Sequence, residues 1–314
     1  MTRALAHNRS SVRDRAHEPL ISVVIAVRND AEGLDRTLAA LEQQTLPANR
    51  FEVIVVDDAS TDETPAITAA RTGVKLIQLS AQSGSYVARN RGLAQARGSV
   101  IAITDAECRP DPHWLERGLS HLAADGSAVI GGHITMPLTG RRTLAAMVDV
   151  VNHLDQQRYV EDGCAVTANL FASAATFRAV GGFEERLLSS GDVEWTRRAA
   201  GAGHRLIYAP DTIVEHPPRS SARALLRKAR RTSEGMRMAN RQRLLDTKRP
   251  YFDARCLIPS HRSRWRVRLN EHGVRPRRLG WVAIGIGQVA LVQLPHVLYA
   301  LAADLRAWAS RPIQ

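Results

Sequence analysis

The sequence predicts an α/β protein on a mostly parallel sheet, followed by a basic helical region and an apolar, membrane-associating segment. Three observations predict this. Short runs of β-branched residues alternate with helical stretches through the first hundred residues, the pattern of βαβ units. Arg219–Arg278 carries 19 Lys and Arg against four acids, a balance of +15 that leaves −3 for the rest of a chain whose net charge is +12. Leu279–Ala303 then runs 25 residues without a formal charge.

Ile21-Ser-Val-Val-Ile-Ala-Val suits a strand buried on both faces. Leu34, Leu38 and Leu41 fall on one helical face after it. Phe51–Val56 is a second buried strand, ended by Asp57-Asp58-Ala59-Ser60, and Thr61–Glu63 caps a helix with Pro65 in its first turn. A strand over Val74–Leu79 leads through Ser83-Gly84-Ser85 to a helix over Val87–Ala96. Val100–Thr104 is the fourth strand. Beyond Gly131 the rhythm loosens, with a strand over Ala128–Ile134, a helix over Leu144–Leu154 and a mixed region to Tyr208.

The fourth strand ends in two carboxylates, Asp105 and Glu107, which alternation along a strand sends to the same side. Open α/β sheets bind ligands at that edge, and hard divalent cations prefer carboxylate oxygens. No Gly-x-Gly-x-x-Gly follows the first strand and no Gly-x-x-x-x-Gly-Lys-Ser/Thr loop occurs, which disfavours dinucleotide oxidoreductases and P-loop enzymes. Cys108, Cys164 and Cys256 are widely spaced and odd in number, as in a reduced, cytosolic chain. The first 18 residues lack an apolar signal-peptide core and read as a disordered arm.

Motifs then occur in order along the chain. Ile21-Ser-Val-Val-Ile-Ala-Val-Arg-Asn-Asp, Val55-Val-Asp-Asp-Ala-Ser-Thr-Asp, Thr104-Asp-Ala-Glu-Cys and Gly181-Gly-Phe-Glu-Glu-Arg-Leu with Ser190-Gly-Asp-Val-Glu-Trp together resemble the family-2 glycosyltransferases of the GT-A fold, over Leu20–Arg219. The resemblance implies an inverting transfer of a sugar from a nucleotide-diphosphate donor, with UDP-sugars the expected class, to an acceptor hydroxyl. It implies nucleotide contacts from Asp57, Asp58, Arg89, Asp105, Arg28 and Glu32. It also implies a divalent cation, Mn2+ or Mg2+, on Asp105, Glu107 and His216, a general base at Asp192, and acceptor contacts from Glu194, Trp195 and Asn169. Two positions depart from the family pattern: Glu107 stands for the second Asp of the metal motif, and Gly191 for the Glu before the base.

Each role has a competing structural reading. Asp57 or Asp58 would cap the next helix, and Asp192 would be an N-cap. Arg89 would sit on a solvated helix face, and a lone His216 would be structural.

The expected organisation is an arm over 1–18 and a transferase domain over 19–218, divided into donor (19–130) and acceptor (131–218) halves. A basic membrane-surface region (219–278) and an apolar membrane or re-entrant helix (279–303) complete it. In the basic region Leu225, Leu226, Ala229 and Met236 recur at helical spacing, with Arg227, Lys228, Arg230 and Arg231 between them. Trp281 and Tyr299 flank the apolar stretch as interfacial residues do, while Gln288, Gln293, Pro295 and His296 lower its hydrophobicity. The expected acceptor is a glycan or lipid-linked acceptor of the cell envelope, reached from the cytoplasmic face of the membrane, with no nucleic acid as partner. The competing readings are a nucleotidyltransferase of related α/β architecture and a non-catalytic basic scaffold that binds nucleic acid or anionic lipid.

Overall fold

The computed structural model describes residues 20–139, 142–241, 244, 262–295, 297–299 and 302; the expected arm over 1–18 lies outside them. The chain forms two compact units. One comprises the residues up to Ile134 with Gln156–Phe183 and Trp195–Glu215; the other comprises Thr135–Asp155, Glu184–Glu194 and the residues from His216 onward.

The first unit is built on an eight-stranded sheet. Its strands are β1 (Ile21–Val27), β2 (Phe51–Asp57), β3 (Val74–Gln78), β4 (Val100–Asp105), β5 (Arg109–Pro110), β6 (Val129–Thr135), β7 (Asn169–Ser173) and β8 (Leu206–Glu215). Their spatial order is β3-β2-β1-β4-β7-β6-β8-β5. Strands β1 to β4 pair in parallel, whereas β4–β7, β6–β7 and β5–β8 are antiparallel. The parallel half is the one legible as βαβ repeats. Beyond β4 the strands arrive without regular crossover helices, and antiparallel pairing needs none.

Strands β1, β2 and β4 are buried because helices cover them, while β3 at the sheet edge is part-exposed. Helix α1 (Ala31–Glu42) turns Leu34, Leu38 and Leu41 inward, each no more than 2% exposed. Helix α2 is Thr64–Ala69, and α3 is Ser85–Leu93, starting and ending earlier than its apolar pattern predicts. Gly84, at φ +100°, supplies the entry to α3. Gly92 lets α3 lie against the sheet: a Cβ there would meet Val24 Cγ1 at 2.5 Å. Helices α4 (Trp114–Ala124), α6 (Gln156–Glu161) and α7 (Ala174–Val180) complete this unit's cover.

The second unit holds α5 (Leu144–Asn152), α9 (Ala222–Arg241), α10 (Arg262–Glu271) and α11 (Arg278–Gln288), which continues as a π-helical turn over Val289–Gln293. Helix α8 (Gly191–Gly201) begins in this unit and ends in the first. Val148, Val150, Leu225, Trp265, Leu269 and Ile284 form the second unit's core. Trp265 thus has a packing role, in keeping with its lying outside the motifs above.

Asp149 is fully buried in that core and gathers three basic residues. His153 Nδ1 lies 2.6 Å from one carboxylate oxygen, the Arg219 backbone N–H donates to the other at 2.8 Å, and Lys228 Nζ stands 3.7 Å away. Lys228 therefore faces inward, while Arg227, Arg230 and Arg231 are exposed as the amphipathic pattern predicts. Burial opposes the charge on Asp149, but the His153 hydrogen bond and the Lys228 and Arg219 charges hold it well below the usual carboxylate range. Burial pushes His153 down to about 4 and Lys228 down to about 7.

Among the described residues one helix is long and apolar enough to cross a membrane, Leu279–Tyr299, with a mean hydropathy of 1.5. Its two faces differ. Ile284 is 0% exposed against the second unit's core, and a Cβ on Gly287 would meet Val148 at 2.9 Å. Leu279, Val282, Ile286, Leu294 and Leu298 are open, Leu279 by 83%.

Candidate active site

Strand order places the site. β2 and β3 lie on one side of β1, and β4 returns to the other side, so the chain reverses direction between β1 and β4. That reversal opens a crevice at the carboxyl ends of the strands. Register brings the ends level: Val27 pairs with Asp57, and Ala26 with Asp105. Everything just beyond these residues faces the crevice edge.

Asp105 closes β4, and Arg89 of α3 donates from Nη2 to its Oδ1 at 2.7 Å. Arg89 is 7% exposed, and its Nε is buried without a hydrogen-bond partner among the described residues. Its guanidinium lies 5.6 Å from the centre of the Tyr86 ring. A buried Arg with an open donor beside a carboxylate differs from the solvated-face reading, and an orphaned donor of this kind calls for a partner.

The turn after Asp105 is held from α1. The Thr37 hydroxyl lies 2.6 Å from Ala106 O and 2.5 Å from Cys108 O, and Cys108 N–H donates to Asp105 O at 3.1 Å. Glu107 projects from this turn. Burial raises the carboxyl of Asp30 above its usual value, and the charge of Glu107 adds to that. Burial pushes the Cys108 thiol well up, with Asp105 and Glu107 contributing. Asp30, Asp105 and Glu107 therefore concentrate negative charge at one strand end, which a divalent cation would relieve. Among the described residues no three His, Cys, Asp or Glu side chains gather into a ready metal cage. Mg2+-type sites need none, since one or two carboxylates with phosphate oxygens and water suffice.

Asp57 and Asp58 are 1% and 5% exposed, and both shape loops. Asp57 accepts from Ser60 N–H at 3.3 Å; Asp58 accepts from Ser83 N–H at 2.6 Å and Gly84 N–H at 2.9 Å. Neither carboxylate caps the next helix, α2: Asp57 holds the turn at Ser60, and Asp58 holds the backbone that leads into α3. Asn29 and Ala59 adopt φ +52° and +55°. Asn29 Oδ1 accepts from Thr61 N–H at 2.7 Å, tying the loop after β1 to the loop after β2. Neither residue had a role in the sequence reading, although Asn in the left-handed region is a recognisable loop signal. Arg28 is exposed at this loop, and Glu32 pairs with Arg36 on the open face of α1.

Other candidate residues belong to the second unit. Asp192, in the first turn of α8, accepts from Val193 N–H at 2.9 Å and follows Ser190, whose φ is +65°. Glu194 is 6% exposed, and His216 is 3% exposed with Nδ1 2.9 Å from Pro217 O. Back in the first unit, Trp195 is fully buried, stacked on Phe177 at 4.2 Å, and donates to Gly181 O at 2.7 Å, so it packs the interior and does not fit the expected acceptor contact.

Acceptor contact does not fit Asn169. It is 0% exposed, donates to His133 O and Thr212 O at 2.9 and 2.8 Å, and accepts from Trp114 Nε1 at 2.9 Å. With both amide hydrogens and the carbonyl engaged, it is a tie between β6, β7 and β8.

Comparison with known proteins decides the family. Glycosyl transferase family 2 matches residues 22–166, and Glycosyl transferase family group 2 matches residues 100–308. The chain is a family-2 glycosyltransferase. Over 222 residues this glycosyltransferase is 36% identical to the glycosyltransferase AglE of Haloferax volcanii, covering 69% of the chain and 73% of that relative. It is 32% identical over 212 residues to the pre-mycofactocin glycosyltransferase of Mycobacterium tuberculosis, covering 65% of the chain but 44% of that longer protein. In fold it resembles the mannosyltransferase PcManGT from Pyrobaculum calidifontis, solved in complex with GDP-Man and Mn2+. The TM-score is 0.58 at 20% identity over 94% of this chain and 88% of that one. Sugar transfer on a GT-A fold is thereby established, and the nucleotidyltransferase and scaffold readings fall.

Proposed function

We propose that the enzyme moves one sugar from a nucleotide-diphosphate donor to an acceptor hydroxyl with inversion at C1, assisted by a divalent cation. The observation that carries this is the strand-end constellation of Arg89, Asp105 and Glu107. It sets two carboxylates that would hold a cation, and a guanidinium whose buried Nε has no partner among the described residues, at the strand end where a diphosphate would lie. Asp57 and Asp58 contribute to nucleotide binding by fixing the loops at Ser60 and Ser83–Gly84, with Arg28 and Glu32 at the rim. Asp105 and Glu107 would hold a cation that neutralises the charge developing on the departing diphosphate, while His216, expected as a further ligand, belongs to the second unit. The residues fit it, since hard carboxylate oxygens suit Mn2+ or Mg2+.

Asp192 would take the acceptor proton as C1 is attacked. One base on the face opposite the leaving group suffices for inversion. Glu194, two positions further along the same helix, is the proposed acceptor contact. UDP-sugars are the proposed donors by family resemblance, and the GDP-Man bound to the mannosyltransferase of like fold makes guanine the alternative base.

The acceptor is a glycan or lipid-linked acceptor of the cell envelope, approached from the cytoplasmic face. Support comes from the open apolar face of Leu279–Leu298 and the exposed Arg227, Arg230 and Arg231. A helix with one face already packed in its own unit fits an orientation along the bilayer surface better than a crossing. The deciding experiment titrates the purified protein with UDP and GDP, with and without Mn2+, and follows melting temperature. A Mn2+-dependent rise with one of them that Asp105→Ala abolishes supports the donor site, and no rise with either removes it.

A further inference from the structure

Helix α3 carries two adjacent side chains that face different partners. Arg89 holds Asp105. Asn90, the next residue, grips Phe183 twice: its Nδ2 donates to Phe183 O at 2.8 Å, and its Oδ1 accepts from Phe183 N–H at 2.8 Å. A primary amide used on both edges completes one residue's backbone as a neighbouring strand would. The loop lies flush on that amide, since a Cβ on Gly182 would stand 2.6 Å from Asn90 Oδ1.

The same loop is gripped from α8. Trp195 Nε1 donates to Gly181 O, and Arg198 donates to Val180 O and Gly182 O. The Phe183 ring lies 5.7 Å from Trp195 and 5.8 Å from Tyr86 of α3. Between Phe183 and Trp195 run the 11 residues Glu184–Glu194, which include Asp192. Both ends of this segment are therefore pinned to one scaffold, and Asn90 makes the pin at the entering end.

We infer that Asn90 is a positioning residue for the Asp192-bearing segment, fixing its entry on the helix that also holds Asp105. The inference rests on the reading of Asp192 as the base. Losing this pin loosens the entering end of the segment and raises its conformational entropy. The base then spends less time in line for attack, and small misplacements are costly in rate. Nucleotide binding, which depends on Arg89 and the loops at Asp57 and Asp58, is untouched.

The test uses the full chain with Asn90→Ala and Asn90→Asp; the second keeps an acceptor for Phe183 N–H and loses the donor. Limited trypsin digestion followed by mass spectrometry reads cleavage after Arg186, whose side chain is 66% exposed within the segment. Calorimetry reads UDP and GDP affinity with Mn2+, and release of UDP or GDP from UDP-glucose and GDP-mannose reads turnover with water as acceptor. For Asn90→Ala the expected result is cleavage after Arg186 at least fivefold faster relative to other sites. Nucleotide affinity stays within twofold, KM is unchanged and kcat falls on the order of tenfold or more. Asn90→Asp is intermediate, and serves alone if Asn90→Ala does not fold.

Unchanged cleavage after Arg186, or nucleotide affinity and turnover lost in equal proportion, overturns the inference. If the wild-type chain binds neither nucleotide, the donor reading fails separately, while faster Arg186 cleavage in the variants still shows the anchor.

Discussion

Arg89 Nη2 and Asp105 Oδ1 meet at 2.7 Å across the end of β4, joining a buried cation to a carboxylate that keeps 25% of its side chain open. The pair is half closed: the guanidinium is buried while the carboxylate still faces the crevice. On the proposed reading its two members serve each other and the donor at once. Arg89→Ala and Asp105→Ala, measured singly and together by nucleotide affinity, should be non-additive by about 1–3 kcal/mol. Independent effects would mean that the contact has no part in donor binding.

Asp192→Asn should lower kcat by roughly 10²- to 10⁴-fold, the range of a lost general base, with donor KM unchanged. An acidic residue in the first turn of a helix contributes only about 0.3–1 kcal/mol to stability. A large fall in melting temperature would return Asp192 to the capping role alone. Steady-state kinetics with a nucleotide-sugar and thermal melting together decide this.

The Asp149 cluster makes stability pH-dependent with a definite sign. His153 titrates near 4 in the folded chain against 6.5 when free, so the unfolded chain takes up a proton first as pH falls. Its contribution is complete above 6.5 and is lost as pH falls to about 4. Lys228, near 7 in place of 10.5, adds stability as pH rises through that interval, and the depressed Asp149 adds loss at lower pH still. Melting temperature should fall between pH 6.5 and 4.5, and His153→Gln should flatten the slope, with up to roughly 3 kcal/mol at stake. An equal slope in both proteins would remove His153 as its source.

Leu279→Ser, Val282→Ser and Ile286→Ser together should leave melting nearly unchanged, because these side chains are already open. The same triple variant should lose at least tenfold in flotation with anionic vesicles, since each apolar side chain that enters lipid contributes about 1.5–3 kcal/mol. Equal flotation of both proteins would assign the open face to something other than lipid.

What was legible in the sequence was what repeats or is local. The runs ending at Val27, Asp57 and Asp105 named β1, β2 and β4 to within a residue, because buried parallel strands are continuous apolar runs. Leu34, Leu38 and Leu41 named the inner face of α1. Beyond β4 the sheet turns antiparallel through short strands brought together from distant positions, and no period announces that. Lys228 was read as a surface cation because its partner, Asp149, lies 79 positions away in sequence. The resemblance makes Asn169 an acceptor contact, whereas its amide bonds three strands. A single sequence shows that a polar side chain exists, and only the fold shows whether its hydrogen bonds are already taken.

The change from parallel to antiparallel pairing at β4 also bears on how such an enzyme diversifies. Every residue proposed to contact the nucleotide lies before Cys108, within contiguous βαβ repeats that fold on local connections. The strand flanking β4 on its other side is β7, which gives it a backbone ladder and asks for no particular crossover length. Insertions and drift between β5 and β7 can thus accumulate without disturbing the crevice. A lineage built this way can exchange acceptors while inheriting its donor chemistry intact.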